Sequence, residues 1–451
     1  MTAPALSILD LLHFDAPTQE QKTALLAMAD FTKETNTDDF FILSGAAGTG
    51  KSSIMSALVG WLNQKDVAYQ IAAPTGRAAR IIGRKTNTLA STVHSLIYKA
   101  VPNPETGVVH FKMKLMDEDT RTIFIIDEAS MVAAKPNRED ALFVAPDSLL
   151  SDLARFVKGC NPANKIIFLG DRNQLPPVGE QDSYALQSEY LQKTFSWTGS
   201  RHFLTKVKRQ EDGSRILKNA RQLREAVEAF TKPPVLDAPS VGHNTWQTAK
   251  HFADTFRKDG AGSLVAIGRS HKQNRVFNEA VREKMFGSGA PLIRPGDLML
   301  VTQNWNRNGE RLYNGDHVVV EEVALDQQET VGGLHFCAVK LRYKKMDDTE
   351  GVLEDYMLLD CLLADDGKVE GTKEKVLRHE RNAKNVRYRE SGNPEDDKYV
   401  GALRLMYGYA ITCNKAQGGE WEKVYVNTFG VQDAKWLYTA VTRAKEELYK
   451  F

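Results

Sequence analysis

The stretch Phe40-Phe41-Ile42-Leu43-Ser44-Gly45-Ala46-Ala47-Gly48-Thr49-Gly50-Lys51-Ser52 decides the fold. A continuous apolar run predicts a buried strand. A glycine-rich turn follows it, and the apolar stretch from Ile54 to Leu62 predicts a helix. Gly45 to Ser52 fits the G-x-x-x-x-G-K-[ST] spacing in that strand–turn–helix setting. Glycines at those positions let the backbone wrap a polyphosphate with its N–H groups turned inward, and the helix start adds partial positive charge. On this reading Gly45, Ala46, Ala47, Gly48, Thr49, Gly50, Lys51, Ser52 and Ser53 line a site for ATP. Lys51 would reach the β- and γ-phosphates, and the Ser52 hydroxyl would take a place on Mg²⁺. A chance glycine-rich turn is the alternative, and the flanking strand and helix weigh against it.

Further runs of the same kind surround this one. Tyr69–Ala73 stops at Pro74, Thr122–Ile126 at Asp127 and Lys165–Leu169 at Gly170. Buried strands alternating with helices predict a doubly wound α/β sheet. Asp127 and Glu128 fall where a carboxylate can hold Mg²⁺ and its neighbour can accept a proton from an attacking water. A helix start capped by Asp127 is the plainer alternative. Gln174, in the turn after Leu169, is a candidate to position water or sense the γ-phosphate.

A second set, Leu264–Ile267, Leu405–Ile411 and Val424–Val426, predicts a second α/β core. Between its parts, residues 294–400 carry short β runs divided by Asn-Gly, Gly-Asp and Gly-Gly turns, the pattern of a small antiparallel barrel. The charged segment Lys373–Glu390 suggests a solvated helix or arm. Val101–Met116 carries turn signals that suggest a hairpin inserted in the first core. The expected organisation is a first core at 1–100 with 117–177, a hairpin at 101–116, a second core at 178–293 with 401–451, and a barrel at 294–400. Leu437, Ala440, Val441, Ala444 and Leu448 share one helical face, with Arg443 at its edge; a lone arginine there is by default a surface residue.

Lys plus Arg is 59 against 58 Asp plus Glu in 451 residues, a net charge of +1. Any polyanion path must therefore be a local patch. With 42% hydrophobic and 26% charged residues, wholesale disorder is excluded. No apolar run approaches the ~18 residues of a membrane span. Cys160, Cys337, Cys361 and Cys413 lack the spacing of a metal knuckle and are read as reduced thiols of a cytoplasmic protein.

Taken in order, Thr18-Gln19-Glu20-Gln21, the phosphate loop, Ala73-Pro74-Thr75-Gly76-Arg77-Ala78-Ala79, Ser91-Thr92-Val93-His94-Ser95, Ile126-Asp127-Glu128-Ala129-Ser130-Met131, Gly170-Asp171-Arg172-Asn173-Gln174-Leu175-Pro176-Pro177-Val178, Lys415-Ala416-Gln417-Gly418 and Tyr438-Thr439-Ala440-Val441-Thr442-Arg443-Ala444 resemble the motifs of a superfamily-one DNA helicase of the RecD/Dda type. The resemblance runs from Thr18 to Tyr449, and the length is similar to that of compact Dda-like phage helicases. It implies two RecA-like cores that use ATP and Mg²⁺, translocate 5′→3′ on single-stranded DNA and separate forked duplexes. It assigns adenine recognition to Gln21, phosphate and Mg²⁺ contacts to Gly48, Gly50, Lys51 and Ser52, Mg²⁺ support to Asp127, catalytic base to Glu128, coupling to Gln174, arginine fingers to Arg209 and Arg443, and a ribose or nucleotide contact to Glu420.

It also implies a strand path through Pro74, Thr75, Thr92 and His94 on the first core and Thr412, Asn414 and Lys415 on the second. Asn414 stands where the family usually has His and keeps hydrogen-bonding capacity. Phe111 in the inserted hairpin, which matches the family's strand-separating pin, and Trp305 and Tyr313 in the barrel are stacking candidates; each is more simply an ordinary core or surface aromatic. The resemblance places the chain in a bacterial or phage-infected cell, acting as a monomer in replication, repair or recombination beside a single-strand-binding or replisome protein. The competing readings are an ATP-driven translocase that displaces proteins without separating strands, and a P-loop kinase or small-molecule NTPase, which would leave the second core unexplained.

Overall fold

The computed structural model describes residues 7–12, 16–103, 108–115, 120–136, 143–206, 214–345 and 349–451. They form two compact units, one of 1–99, 112–137 and 145–214, the other of 100–111, 138–144 and 215–451.

The first unit is built on β1 (Phe40–Gly45), β2 (Ala68–Ala73) and β3 (Ala90–Thr92). A small separate sheet is made of β4 (Tyr98–Pro102), β5 (Val109–Met113) and later β7 (Phe143–Val144), and most of its residues fall in the second unit. The main sheet continues with β6 (Thr122–Ile126), β8 (Lys165–Gly170) and β9 (Gly199–Leu204). Its order is β3-β2-β6-β8-β1-β9, parallel throughout. The apolar runs read from the sequence are its central strands, and β1, β6 and β8 are buried along their whole length. Strands buried on both faces need helices on both faces, and this places every strand-to-helix turn on one edge of the sheet. Strand β9 joins this sheet beside β1, although residues 178–293 were expected in the second core. Gly199 allows that contact, because a Cβ there would lie 2.2 Å from the Phe40 carbonyl oxygen.

The 101–116 insert forms a hairpin in its described part: Lys114 N–H donates to Ile97 O (2.8 Å) and Asn103 N–H to Val108 O (2.7 Å). Its tip, 104–107, lies outside the described residues.

The second unit contains β10 (Leu264–Gly268), then β11 (Leu298–Val301), β12 (Trp305–Arg307), β13 (Glu310–Leu312), β14 (His317–Val323), β15 (Glu329–Val331), β16 (Leu334–Lys344), β17 (Glu350–Leu358), β18 (Leu405–Tyr407), β19 (Ala410–Thr412), β20 (Trp421–Val426) and β21 (Ala444–Lys450). Strands β19-β10-β20-β21 form a parallel sheet. Strands β11, β14, β15, β16, β17 and β18 form an antiparallel one. A bridge between Met357 and Leu403 brings the end of β17 against the segment leading into β18, so the antiparallel sheet curls back towards itself.

Two sequence expectations change here. Leu405–Ile411 is not one core strand: it divides at Gly408, with β18 pairing with β11 and β19 with β10. A Cβ at Gly408 would press on His317 and on the backbone of Met299 and Leu300. The helix containing Leu437 ends at Val441, and Ala444 and Leu448 lie on β21, paired with β20. A short apolar pattern fits either period until pairing decides it. The charged arm is two helices, Gly371–Lys384 and Val386–Ser391. Leu377 and Tyr388 are buried, so the arm is packed along one face.

A buried cluster fixes the antiparallel sheet to the second α/β sheet. Arg282, from the helix His271–Phe286, donates to both Asp297 carboxylate oxygens (2.8 and 3.0 Å), and Tyr409 OH donates to Asp297 Oδ1 (3.1 Å). Such a pair matters mainly because removing one partner strands a buried charge.

Candidate functional site

The phosphate loop is shaped by its neighbours as much as by its glycines. Gly48 and Gly50 have φ of 80° and 88°, left-handed values that disfavour any side chain. A Cβ on Gly50 would also meet Gln21 Nε2 at 2.7 Å. The Gln21 amide donates to Thr49 O (2.9 Å) and accepts from Thr18 N–H (2.8 Å). Gln21 is thus a buried brace for the loop, with both ends of its amide engaged inside the protein.

The helix Lys51–Gln64 starts from Gly50 with no side-chain cap, whereas the helices beginning at Gln19, Gly76, Val93 and Leu149 are capped by Thr18, Thr75, Thr92 and Ser148. An uncapped start leaves N–H donors for an external anion. Lys51 Nζ donates to Ala46 O (3.1 Å) and to Gly45 O. The lysine is therefore folded over its own loop.

At the end of β6, burial first, and then the charge of Glu128, push Asp127 up to about 6, while Lys51 and Lys85 pull the other way. Glu128 has a φ of 50°, unusual for a residue with a side chain. At the neighbouring strand ends, Ser44 Oγ, Ser130 Oγ and Gln174 Oε1 are buried without hydrogen-bond partners. Buried orphans of this kind call for a polar partner. A crowded carboxylate pair beside a serine hydroxyl and orphaned oxygens fits a cation with phosphates, so the residues present suit Mg²⁺ held by Ser52 and Asp127.

The residues expected on a strand path in the first unit lie on the same sheet edge. Thr92 pairs in register with Ala73, one residue before Pro74, and Ala72 pairs with Ile126, one residue before Asp127. Thr75 and Thr92 use their hydroxyls as helix caps, accepting from Ala78 N–H (3.2 Å) and Ser95 N–H (3.0 Å). His94, two residues after Thr92, is exposed.

In the second unit, Thr412 closes β19 and is 9% exposed, and Asn414 and Lys415 are half-buried on the short helix after it. Burial and the neighbouring Lys368 lower Lys415 to about 8, partly opposed by Asp366. Arg443 is buried: Nε donates to Thr439 O (3.0 Å), Nη1 to Gly419 O (3.2 Å) and Nη2 to Thr442 Oγ1 (3.1 Å). Glu420 is half-buried, 4.0 Å from Lys445 Nζ. Arg209 lies outside the described residues. Phe111 is half-buried in the hairpin. Trp305 is buried, with its indole N–H donating to Asp355 (2.7 Å), so it is a core aromatic.

Three groups escaped the sequence reading. Ser44 and Ser130 carry orphaned oxygens. Lys85 donates to Ser52 Oγ (3.2 Å) across a separation of 33 residues, which no motif spacing marks. Among the described residues no cluster of His, Cys, Asp and Glu could hold a further metal ion, and no helix is long and apolar enough to cross a membrane. Cys337, Cys361 and Cys413 are buried thiols outside any disulfide.

Residues 17–232 match the model of an AAA domain, and 407–449 that of a UvrD-like helicase C-terminal domain. The chain is 25% identical over 416 residues to the ATP-dependent RecD2 DNA helicase of Deinococcus radiodurans, covering 90% of this chain and 46% of that protein. It is 26% identical over 301 residues to the ATP-dependent DNA helicase dda of Enterobacteria phage T4, covering 65% of this chain and 62% of that one. It thus spans less than two thirds of either relative. Among solved structures, a Bacteroides Pif1 helicase in complex with ADP-AlF3 and single-stranded DNA aligns with a TM-score of 0.51 at 16% identity, covering 97% of this chain and 92% of that one. A Pif1 helicase from Candida albicans gives 0.51 at 15% identity, with 97% and 95% covered. In motif order the chain is similar to helicases of the RecD/Dda type, and its fold is similar to that of the Pif1 helicase structures.

Proposed function

We propose that this chain is an ATP-dependent DNA helicase that moves 5′→3′ along single-stranded DNA and separates the strands of forked duplexes. The observation that carries the reading is the shared sheet edge. The uncapped phosphate loop, the Asp127–Glu128 pair and the strand-path threonines 75 and 92 all sit at the strand ends of one rigid parallel sheet. The Asp127–Glu128 end of β6 is therefore one strand from β2 and two from β3, while the loop after β1 is three and four strands away along the same edge. The names of the RecD2 and dda relatives support the same activity.

In this reading the loop N–H groups and Lys51 bind the triphosphate, and Glu128 accepts a proton from the attacking water. Gln174 positions that water through its orphaned oxygen. Ser52 and Asp127 hold Mg²⁺, which when bound neutralises charge on the β- and γ-phosphate oxygens. Arg209 and Arg443 meet the charge that develops on the γ-phosphate during turnover. Arg443 must give up carbonyl partners to do so. Gln21 serves the nucleotide site by holding the loop, in addition to the adenine contact expected of it, and Glu420 contributes the ribose contact.

Thr412, Asn414 and Lys415 grip phosphates of the strand without reading its sequence. The 101–116 hairpin, with Phe111, acts as the separating pin. A monomer in the cytoplasm of a bacterial or phage-infected cell, beside a single-strand-binding or replisome protein, completes the proposal. Strand displacement on forked duplexes with either a 5′ or a 3′ tail tests it. ATP-dependent displacement from the 5′-tailed fork is expected; displacement only from the 3′-tailed fork, or from neither, removes the polarity or the activity. Phe111→Ala should lower displacement more than strand-stimulated ATP turnover.

A further inference from the structure

The loop's own lysine is folded over its loop, with Lys51 Nζ held by the Gly45 and Ala46 carbonyls. A different lysine reaches Ser52. Lys85, in the last turn of the helix Gly76–Thr86, donates from Nζ to Ser52 Oγ at 3.2 Å. Its position is fixed from its own backbone, since the Lys85 carbonyl accepts from Ser56 Oγ (2.9 Å), one turn beyond Ser52 on the helix Lys51–Gln64. The same Ser56 hydroxyl lies 3.0 Å from Ser52 O. Two helices are thus clasped at the one serine whose hydroxyl the loop presents for a metal ion. The charge of Lys85 also reaches Asp127, the other residue suited to that ion.

We infer that Lys85 is a built-in rival of Mg²⁺ at Ser52: it holds Ser52 Oγ and competes with the ion for that oxygen. The inference rests on the phosphate-loop reading above and adds a residue that none of the motifs contains. The physical basis is that an ammonium group and a metal ion brought to the same hydroxyl oxygen, and to the same pair of ligands, repel at contact distance. The residue acts on the ion's access, so it is a positioning residue. Because Lys85 is exposed, its side chain can swing into solvent once displaced.

The test is equilibrium binding of fluorescent mant-ADP to the full chain, titrated with free Mg²⁺. Lys85→Met keeps the stem and removes the charge, and Lys85→Arg keeps the charge. The expected result is that K85M lowers the Mg²⁺ midpoint by about threefold to tenfold, the scale of a single screened charge, while K85R stays near the parent. An unchanged or raised midpoint in K85M overturns the inference. So does a K85M protein that binds mant-ADP far more weakly at saturating Mg²⁺, because Lys85 would then be a phosphate ligand of the loaded site. If the parent chain itself fails to bind mant-ADP, the nucleotide reading falls first; if the parent binds and K85M matches it, only this inference falls.

Discussion

Each α/β unit sends a buried strand into a helix, and the two turns differ in one decisive respect. In the first unit five residues, Ala46–Gly50, separate β1 from the helix that begins at Lys51. Two of them are left-handed glycines, and no side chain caps the helix. In the second unit only Arg269 and Ser270 separate β10 from the helix that begins at His271. There Ser270 Oγ accepts from Gln273 N–H (3.2 Å), and Arg269 Nη1 donates to Gly430 O (2.9 Å). Gly268 serves close packing, since its Cβ would meet Asn274 Oδ1 at 2.0 Å. The same topology thus gives one helix start open to an anion and one already satisfied from within. The open helix start is the one that carries the glycine-rich loop.

The strongest way to break this contrast is to disable the open turn. Lys51→Ala should reduce ATP turnover by about 10³-fold or more, read as phosphate release; turnover close to the parent's would show that the loop is not the phosphate site. Arg443→Ala should lower turnover by about 10³-fold with nucleotide affinity retained, if this arginine meets the transferring phosphate. A loss under tenfold, together with a lower melting temperature, would assign it to holding Thr439, Gly419 and Thr442. Asp297→Ala strands Arg282 in the second unit and should cost about 3–5 kcal/mol in urea unfolding of that unit. Mant-ADP affinity should stay within twofold of the parent's, because the nucleotide is bound elsewhere.

The smallest expected effect concerns Lys415. Its amine sits near 8 in the folded chain, below its unfolded value. Keeping it charged therefore costs stability below pH 8, and that cost fades as the pH rises through 8. Strand binding works the other way, because a phosphate contact needs the charged form. Affinity for a single-stranded oligonucleotide should fall severalfold between pH 7 and 9, and Lys415→Ala should flatten that dependence. A pH response that is unchanged in the variant would remove Lys415 from the strand path.

Much of this was legible because the decisive signals are local. Apolar runs ending in polar turns marked β1, β2, β6 and β8, and the loop spacing marked the phosphate site. Pairing decisions were less legible, since they are settled by distant partners. Nothing within Gly199–Leu204 announces that it lies beside β1, and nothing in Leu405–Ile411 shows that Gly408 sends its two halves to different sheets. The same holds at the site. Gln21 was singled out by its motif, but its brace to Thr49 is a tertiary contact, and Lys85 reaches Ser52 only because two helices are clasped. Arg443 carried a motif, yet its burial and its three hydrogen-bond partners became visible only in the fold.

The account's central claim is that nucleotide chemistry at the open turn is coupled to a polynucleotide. ATP turnover measured with and without a single-stranded oligonucleotide tests this most directly. The account predicts a large, saturable rise in turnover that weakens steeply with added salt. Turnover that proceeds at the same rate whether or not the oligonucleotide is present would contradict it.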